Sequence, residues 1–242
     1  MQEFIGHLKP PDRRTGLILL LAAVLPVLYV YNGSPEFYLG TVAPLLGLDT
    51  HPLAEMHAQF YRFGAIFLLF GVIPVVLGFA LLGEGPSRFG FVAGDWRLGL
   101  KVVAMALLVS APFLYLSAGQ GDFQAEYPMS KLAAADPLRF TLYEGAYLFY
   151  YIGWETLFRG YMLFGLKDRY GSFGAILFQC FPSILIHIGK PSGEIWGSVV
   201  AGLLLGAVAL RTRSVFYGFV FHYAIGVLMD VFCALRGGLL GG

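Results

Sequence analysis

A glutamate and two histidines lie in stretches of this chain that are otherwise apolar enough to cross a bilayer: Glu155 with Arg159 beside it, His187, and His222 with Asp230 downstream. An ionisable side chain near the middle of a spanning helix costs about 2.5–3.5 kcal/mol on insertion scales, so several of them point to a shared, hydrated cavity lined by protein. Glu155 and Arg159 are four apart and share a helix face, where pairing lowers the cost of both charges. Such a pair can be purely structural, and an isolated histidine on an apolar face can be a hydrogen-bonded core residue. The conjunction of three separate stretches is what suggests chemistry. A carboxylate and two imidazoles in a dry cavity suit proton abstraction from a water, with the remaining groups stabilising the oxyanion of amide hydrolysis. Glu155, His187 and His222 are also ligand types of hydrolytic zinc sites, but no HExxH pair is present. A divalent metal such as zinc is therefore the weaker reading, and no cofactor is the expectation. Asp230 lies two turns past His222, about 12 Å at ~1.5 Å per residue, and can orient that imidazole only through a helix bend or a water. Glu144, about three turns before Glu155, points to a similar side and is expected near the interface, as a solvated carboxylate.

These residues need helices long enough to carry them into the membrane. Crossing ~30 Å of hydrocarbon takes about 20 mostly apolar residues, and seven stretches qualify, near 16–32, 61–83, 98–118, 140–166, 172–188, 195–210 and 214–235. The segments 172–188 and 195–210 are short, which suits helices buried in the bundle, or broken and tilted ones. Residues 33–59 are punctuated by Pro and Gly and are expected to form a loop with a short interfacial helix or re-entrant turn. Residues 119–139 carry several of the acids and read as an exposed connection.

The composition agrees with a polytopic membrane protein: of 242 residues 57% are hydrophobic and only 13% charged, against roughly 25% charged in soluble domains. A net charge of +1 without a basic run leaves no footprint for nucleic acid. Cys180 and Cys233 lack CxxC spacing and read as small buried hydrophobes. The N-terminus has no short apolar run leading to a cleavage site and reads as retained. Lys9, Arg13, Arg14, Arg88, Arg97, Lys101, Lys167, Arg169, Arg211 and Arg213 fall on one side of the predicted spans, against Arg62, Lys131, Arg139, Lys190 and Arg236 on the other. That bias predicts a cytoplasmic N-terminus and an exterior C-terminus.

Three of the stretches together resemble the CAAX-processing and bacteriocin-processing (CPBP, or Abi) intramembrane endopeptidases, whose motifs run EExxxR, FxxxH, and HxxxN or HxxxD. Here the first reads Trp154-Glu155-Thr156-Leu157-Phe158-Arg159 and continues into Gly160, the second Ser183-Ile184-Leu185-Ile186-His187, and the third His222-Tyr223-Ala224-Ile225-Gly226. Trp154 stands where the family has the glutamate that activates water, Ser183 where it has phenylalanine, and Gly226 where it has the closing polar residue. The chain is similar to a bacterial subgroup of WExxxRG and HxGKPxxE style, in which Glu194 would supply the missing carboxylate, with Asp230 as a further substitute.

The resemblance implies an all-α, polytopic transmembrane helix bundle of about seven to eight helices, with residues 1–135 as N-terminal helices and loops and 136–242 as the catalytic helix core of a single membrane domain. It implies an intramembrane endopeptidase in a bacterial inner membrane that cuts a membrane-embedded or lipid-anchored, in the family prenylated, polypeptide. Glu155 would activate water, His187 and His222 would hold it or the oxyanion, and Arg159 would fix the Glu155 helix. The alternatives are an inactive relative that binds membrane peptides, in bacteriocin immunity or regulation, for which Trp154 is the argument, and a small transporter using the polar cluster as an ion path.

Overall fold

The computed structural model describes residues 11–239. The first ten residues, with Lys9 and most of the N-terminal stretch read as retained, lie outside the described residues. Among those described, the chain is helical throughout, with no strand.

Helix α1 spans Arg13–Asn32 and starts on Asp12, whose Oδ1 accepts from the Thr15 N–H at 3.0 Å. Pro35–Phe37, Tyr38–Val42 and Ala43–Leu46 run on as the short helix α2, capped by Ser34 and closed by Gly47 in the left-handed region. Helix α3 covers Ala54–Leu82 and α4 covers Trp96–Ser117, the latter capped by Asp95. Two short helices, α5 (Gly121–Glu126) and α6 (Lys131–Ala134), lead to α7 (Pro137–Glu155), which opens on the Asp136 cap with proline in the first turn, where its missing N–H costs nothing. From Thr156 to Phe164 the backbone continues as a π-helix into α8 (Gly165–Ile186), whose course breaks at Gly171 (φ 70°, ψ 168°). Helices α9 (Ser192–Thr212) and α10 (Phe216–Arg236) complete the bundle.

All seven predicted apolar stretches are helical, and α1, α3, α4, α9 and α10 are each long and apolar enough to cross a membrane. The protein is an all-α, integral membrane helix bundle. Leu108, Val109 and Phe113 of α4 and Leu204 and Val200 of α9 stand exposed, as side chains facing acyl tails do. Segment 195–210, read as short and so as buried in the bundle or broken and tilted, is longer than expected: α9 has 21 residues, and most of them are not buried. The expected short helix within 33–59 is α2. Residues 119–139 differ from the expected exposed connection, because Phe123 and Tyr127 pack onto Met229 and Cys233 of α10. Apolar residues interleaved with the acids carry that packing. Cys180 and Cys233 are both buried and free.

The main core joins Ile18 and Leu25 of α1, Ile66 and Phe70 of α3, and Trp154, Leu157 and Phe158 around the end of α7, so the two halves of the chain share one interior. Helices α3 and α7 cross backbone to backbone. A Cβ on Gly153 would stand 2.6 Å from the Ile66 carbonyl oxygen, and one on Gly71 would be 3.4 Å from the Gly153 Cα. Small residues permit such close crossings where no water drives helices together.

One end of the bundle holds Arg14, Glu84, Arg88 and Asp168. Arg14 lies 3.4 Å from both Glu84 and Asp168, and Arg88 pairs with the same two acids. The opposite end holds the connection between α4 and α7 and the turn between α8 and α9.

Candidate active site

The last turn of α7 and the first half of α10 meet in a ladder. Tyr151 and Glu155 share one face of α7, with Arg159 one turn beyond in the π-helical run; Gly218, His222 and Gly226 share one face of α10. Glu155 is 1% exposed, its Oε1 3.1 Å from Arg159 Nη1 and 2.8 Å from His222 Nδ1. A carboxylate only accepts, so Nδ1–H of His222 donates to it and Nε2 is left free. Glu155 Oε2 faces Gly218, where a Cβ would be 2.9 Å away. The absence of a side chain at 218 is what makes room for the carboxylate between the helices.

His187 enters from the end of α8. Its backbone N–H turns to the Ile184 carbonyl, and the Ser183 carbonyl, left over at the helix end, accepts from Nδ1 at 2.7 Å. With the proton on Nδ1, Nε2 is an acceptor. It stands 4.0 Å from Oε1 of Glu194, which opens α9 after Pro191. Two acceptors at that spacing suit one water donating a bond of about 2.8 Å to each.

Glu194 is held from its other side. Tyr127 Oη donates to Glu194 Oε2 at 2.7 Å, and Lys190 Nζ reaches Tyr127 Oη at 3.3 Å while pairing with Glu126. Burial and the Glu194 carboxylate hold the Tyr127 phenol well above its usual pKa, so it remains a donor.

His187, His222, Glu194, Tyr127, Tyr151 and Trp154 line one cavity of about 30 Å³, room for a water or two. The Trp154 ring packs on both imidazoles, 5.2 Å from His187 and 6.2 Å from His222 by ring centroids, both edge to face.

The structure thus brings Glu155, Arg159, His187, His222, Glu194 and Trp154 together, but in two layers. Glu194 faces the cavity; Glu155 lies behind His222 with one oxygen taken by two partners. Glu155, expected to activate water, is not among the residues that line the cavity. Asp230 is fully buried and does not serve His222. It lies beside Glu144 of α7, which is itself buried and not solvated at an interface as expected, so Glu155 and not Asp230 orients the imidazole. Among the described residues no three His, Cys, Asp or Glu side chains gather as a metal-binding set. Tyr127, Tyr151 and Lys190 escaped the sequence reading. Lys190 and Glu194 lie in the same HIGKPSGE run as His187, but Tyr127 sits among acids with no periodic signal.

Residues 138–228 match the family model described as type II CAAX prenyl endopeptidase Rce1-like. No curated protein and no solved structure matches the chain. The matched stretch begins at the start of α7, ends within α10, and contains Glu155, Arg159, His187, Lys190, Glu194 and His222, every charged or imidazole group of the two layers except Lys190's partner Glu126. Over these residues the α7–α10 core of this membrane protein is similar to the CAAX protease family.

Proposed function

We propose that the protein is an intramembrane endopeptidase that hydrolyses a peptide bond in a membrane-embedded or lipid-anchored polypeptide, without a metal cofactor. The observation that carries the reading is the pair of acceptors, His187 Nε2 and Glu194 Oε1, 4.0 Å apart on a water-sized cavity. The water donates to both; its oxygen attacks the scissile carbonyl carbon as Glu194 takes its proton. The carbonyl electron pair moves onto oxygen. His222, oriented by the Glu155 carboxylate at its Nδ1, faces that oxygen through Nε2, and as an imidazolium it binds the oxyanion through Nε2–H. Collapse expels the amine, which takes the proton back from Glu194. Arg159 balances the charge of Glu155 and fixes its direction.

The Lys/Arg bias supports an N-terminus on the cytoplasmic side of a bacterial inner membrane. Prenylated clients follow from the family alone.

The test is cleavage of labelled membrane peptides by the protein reconstituted in liposomes. Glu194→Gln and His187→Ala are expected to lower turnover at least about a hundredfold, the scale of general acid–base catalysis. Equal turnover by wild type and both variants overturns the assignment, and no turnover by wild type on any lipidated or transmembrane peptide favours the second reading. That reading, a peptide-binding relative without activity, has Trp154 in its favour, since an indole fills the place of the family's water-activating glutamate.

A further inference from the structure

The ladder between α7 and α10 has a third rung that the proposed mechanism has not used. Gly226 lies one turn beyond His222 on the same face of α10, and the place a Cβ would occupy there is filled by the hydroxyl of Tyr151, with Cζ of that ring 2.7 Å from the same point. Tyr151 packs edge to face on His222, ring centroids 4.7 Å apart, and lines the cavity. Its neighbours already have acceptors: Tyr127 donates to Glu194, and Tyr223 donates to the Glu144 carbonyl at 3.1 Å. Among the described residues no carbonyl or carboxylate accepts from the Tyr151 hydroxyl; its polar neighbour is the Tyr147 phenol, which donates to it and so leaves the Tyr151 proton unspent on a wall of the cavity beside His222.

A single imidazolium is a thin cradle for an oxyanion in a low-dielectric site, where each preorganised donor is worth far more than in water. A neutral phenol adds a donor without adding a charge, and its position is fixed by the packing of Tyr147, Tyr150 and Tyr223 around the ring.

We propose that Tyr151 is a catalytic residue, its hydroxyl donating to the same oxyanion as His222 and standing in the space left open by Gly226. This rests on the endopeptidase reading, and the experiment separates the two. With a peptide that the reconstituted wild type cleaves, Tyr151→Phe is expected to lower kcat about a hundredfold with KM unchanged, the effect of removing one oxyanion donor. It should weaken binding of a phosphinate analogue of that peptide by a similar factor while leaving the uncleaved peptide's affinity alone. Gly226→Ala, which puts a methyl where the hydroxyl lies, should give the same split, and it serves if Tyr151→Phe fails to fold. Tyr223→Phe, which touches the same ring from outside the cavity, should retain wild-type kcat.

A loss under about threefold in both Tyr151→Phe and Gly226→Ala, a loss carried by KM, or an equal loss in Tyr223→Phe overturns the role of Tyr151 and leaves the protease reading standing. A wild type that cleaves nothing removes both.

Discussion

The two ends of the bundle handle acids in opposite ways. At the end holding the start of α1, Glu84 and Asp168 each face two arginines, Arg14 and Arg88, in a partly solvated cluster that leaves no carboxylate without a cation. Towards the other end, Glu194 is held by a phenol on one oxygen and left 4.0 Å from an imidazole acceptor on the other. The first arrangement spends its charges on each other and has none to offer a substrate. The second leaves Glu194 without a cation and turns one of its oxygens to the cavity. Glu155 lies between these extremes: paired with a cation like the surface acids, but buried.

The contrast can be broken at several points. Removing Arg159 should do most damage, since Arg159→Met leaves the Glu155 charge buried and uncompensated; a loss of about 3–5 kcal/mol is expected, read as thermal denaturation in lipid or detergent. Adding Glu155→Gln to that variant should recover part of it, because no lone charge then remains. If the single and double variants are equally unstable, the pair is not the reason. Tyr127→Phe removes the donor that positions Glu194 and should cut turnover about tenfold, the worth of one hydrogen bond, with little change in stability; an unchanged rate would detach the α4–α7 connection from the site. The smallest effect is expected at the opposite end. Arg88, 41% exposed in its side chain, pairs with the half-exposed Asp168, so Arg88→Ala should cost no more than about 1 kcal/mol, and less still in high salt.

The sequence made the helices legible because a bilayer demands long apolar runs, and each of the seven stretches became one. It was less informative about which helices line the lipid. Segment 195–210 looked short because Glu194 and Arg211 bound its apolar centre, yet the helix continues through both. The site divides in the same way. Glu155 and Arg159 could be paired from their spacing, since four residues fix a shared face. That Glu155 serves His222, and that Glu194 stands across from His187, depends on how α7, α9 and α10 are packed, and spacing within one helix says nothing about that. Tyr127 shows the limit most sharply: it reaches Glu194 from a connection whose acids made it look solvated. Glu144 misled for the opposite reason, since its place near the start of α7 suggested water where the bundle supplies the side chains of α10.

The contact of α3 with α7 ties the chemistry to main-chain mechanics. Position 153 lies immediately before the tryptophan and glutamate of the site, and its neighbour across the crossing is the Ile66 peptide group itself, which has no rotamer to turn aside. Side chains at 154 and beyond can change character while their coordinates stay anchored, because the anchor is one backbone resting on another. A single methyl inserted at that fulcrum would lever the whole rung of Trp154 and Glu155 away from α10, however well suited those residues remained to their task.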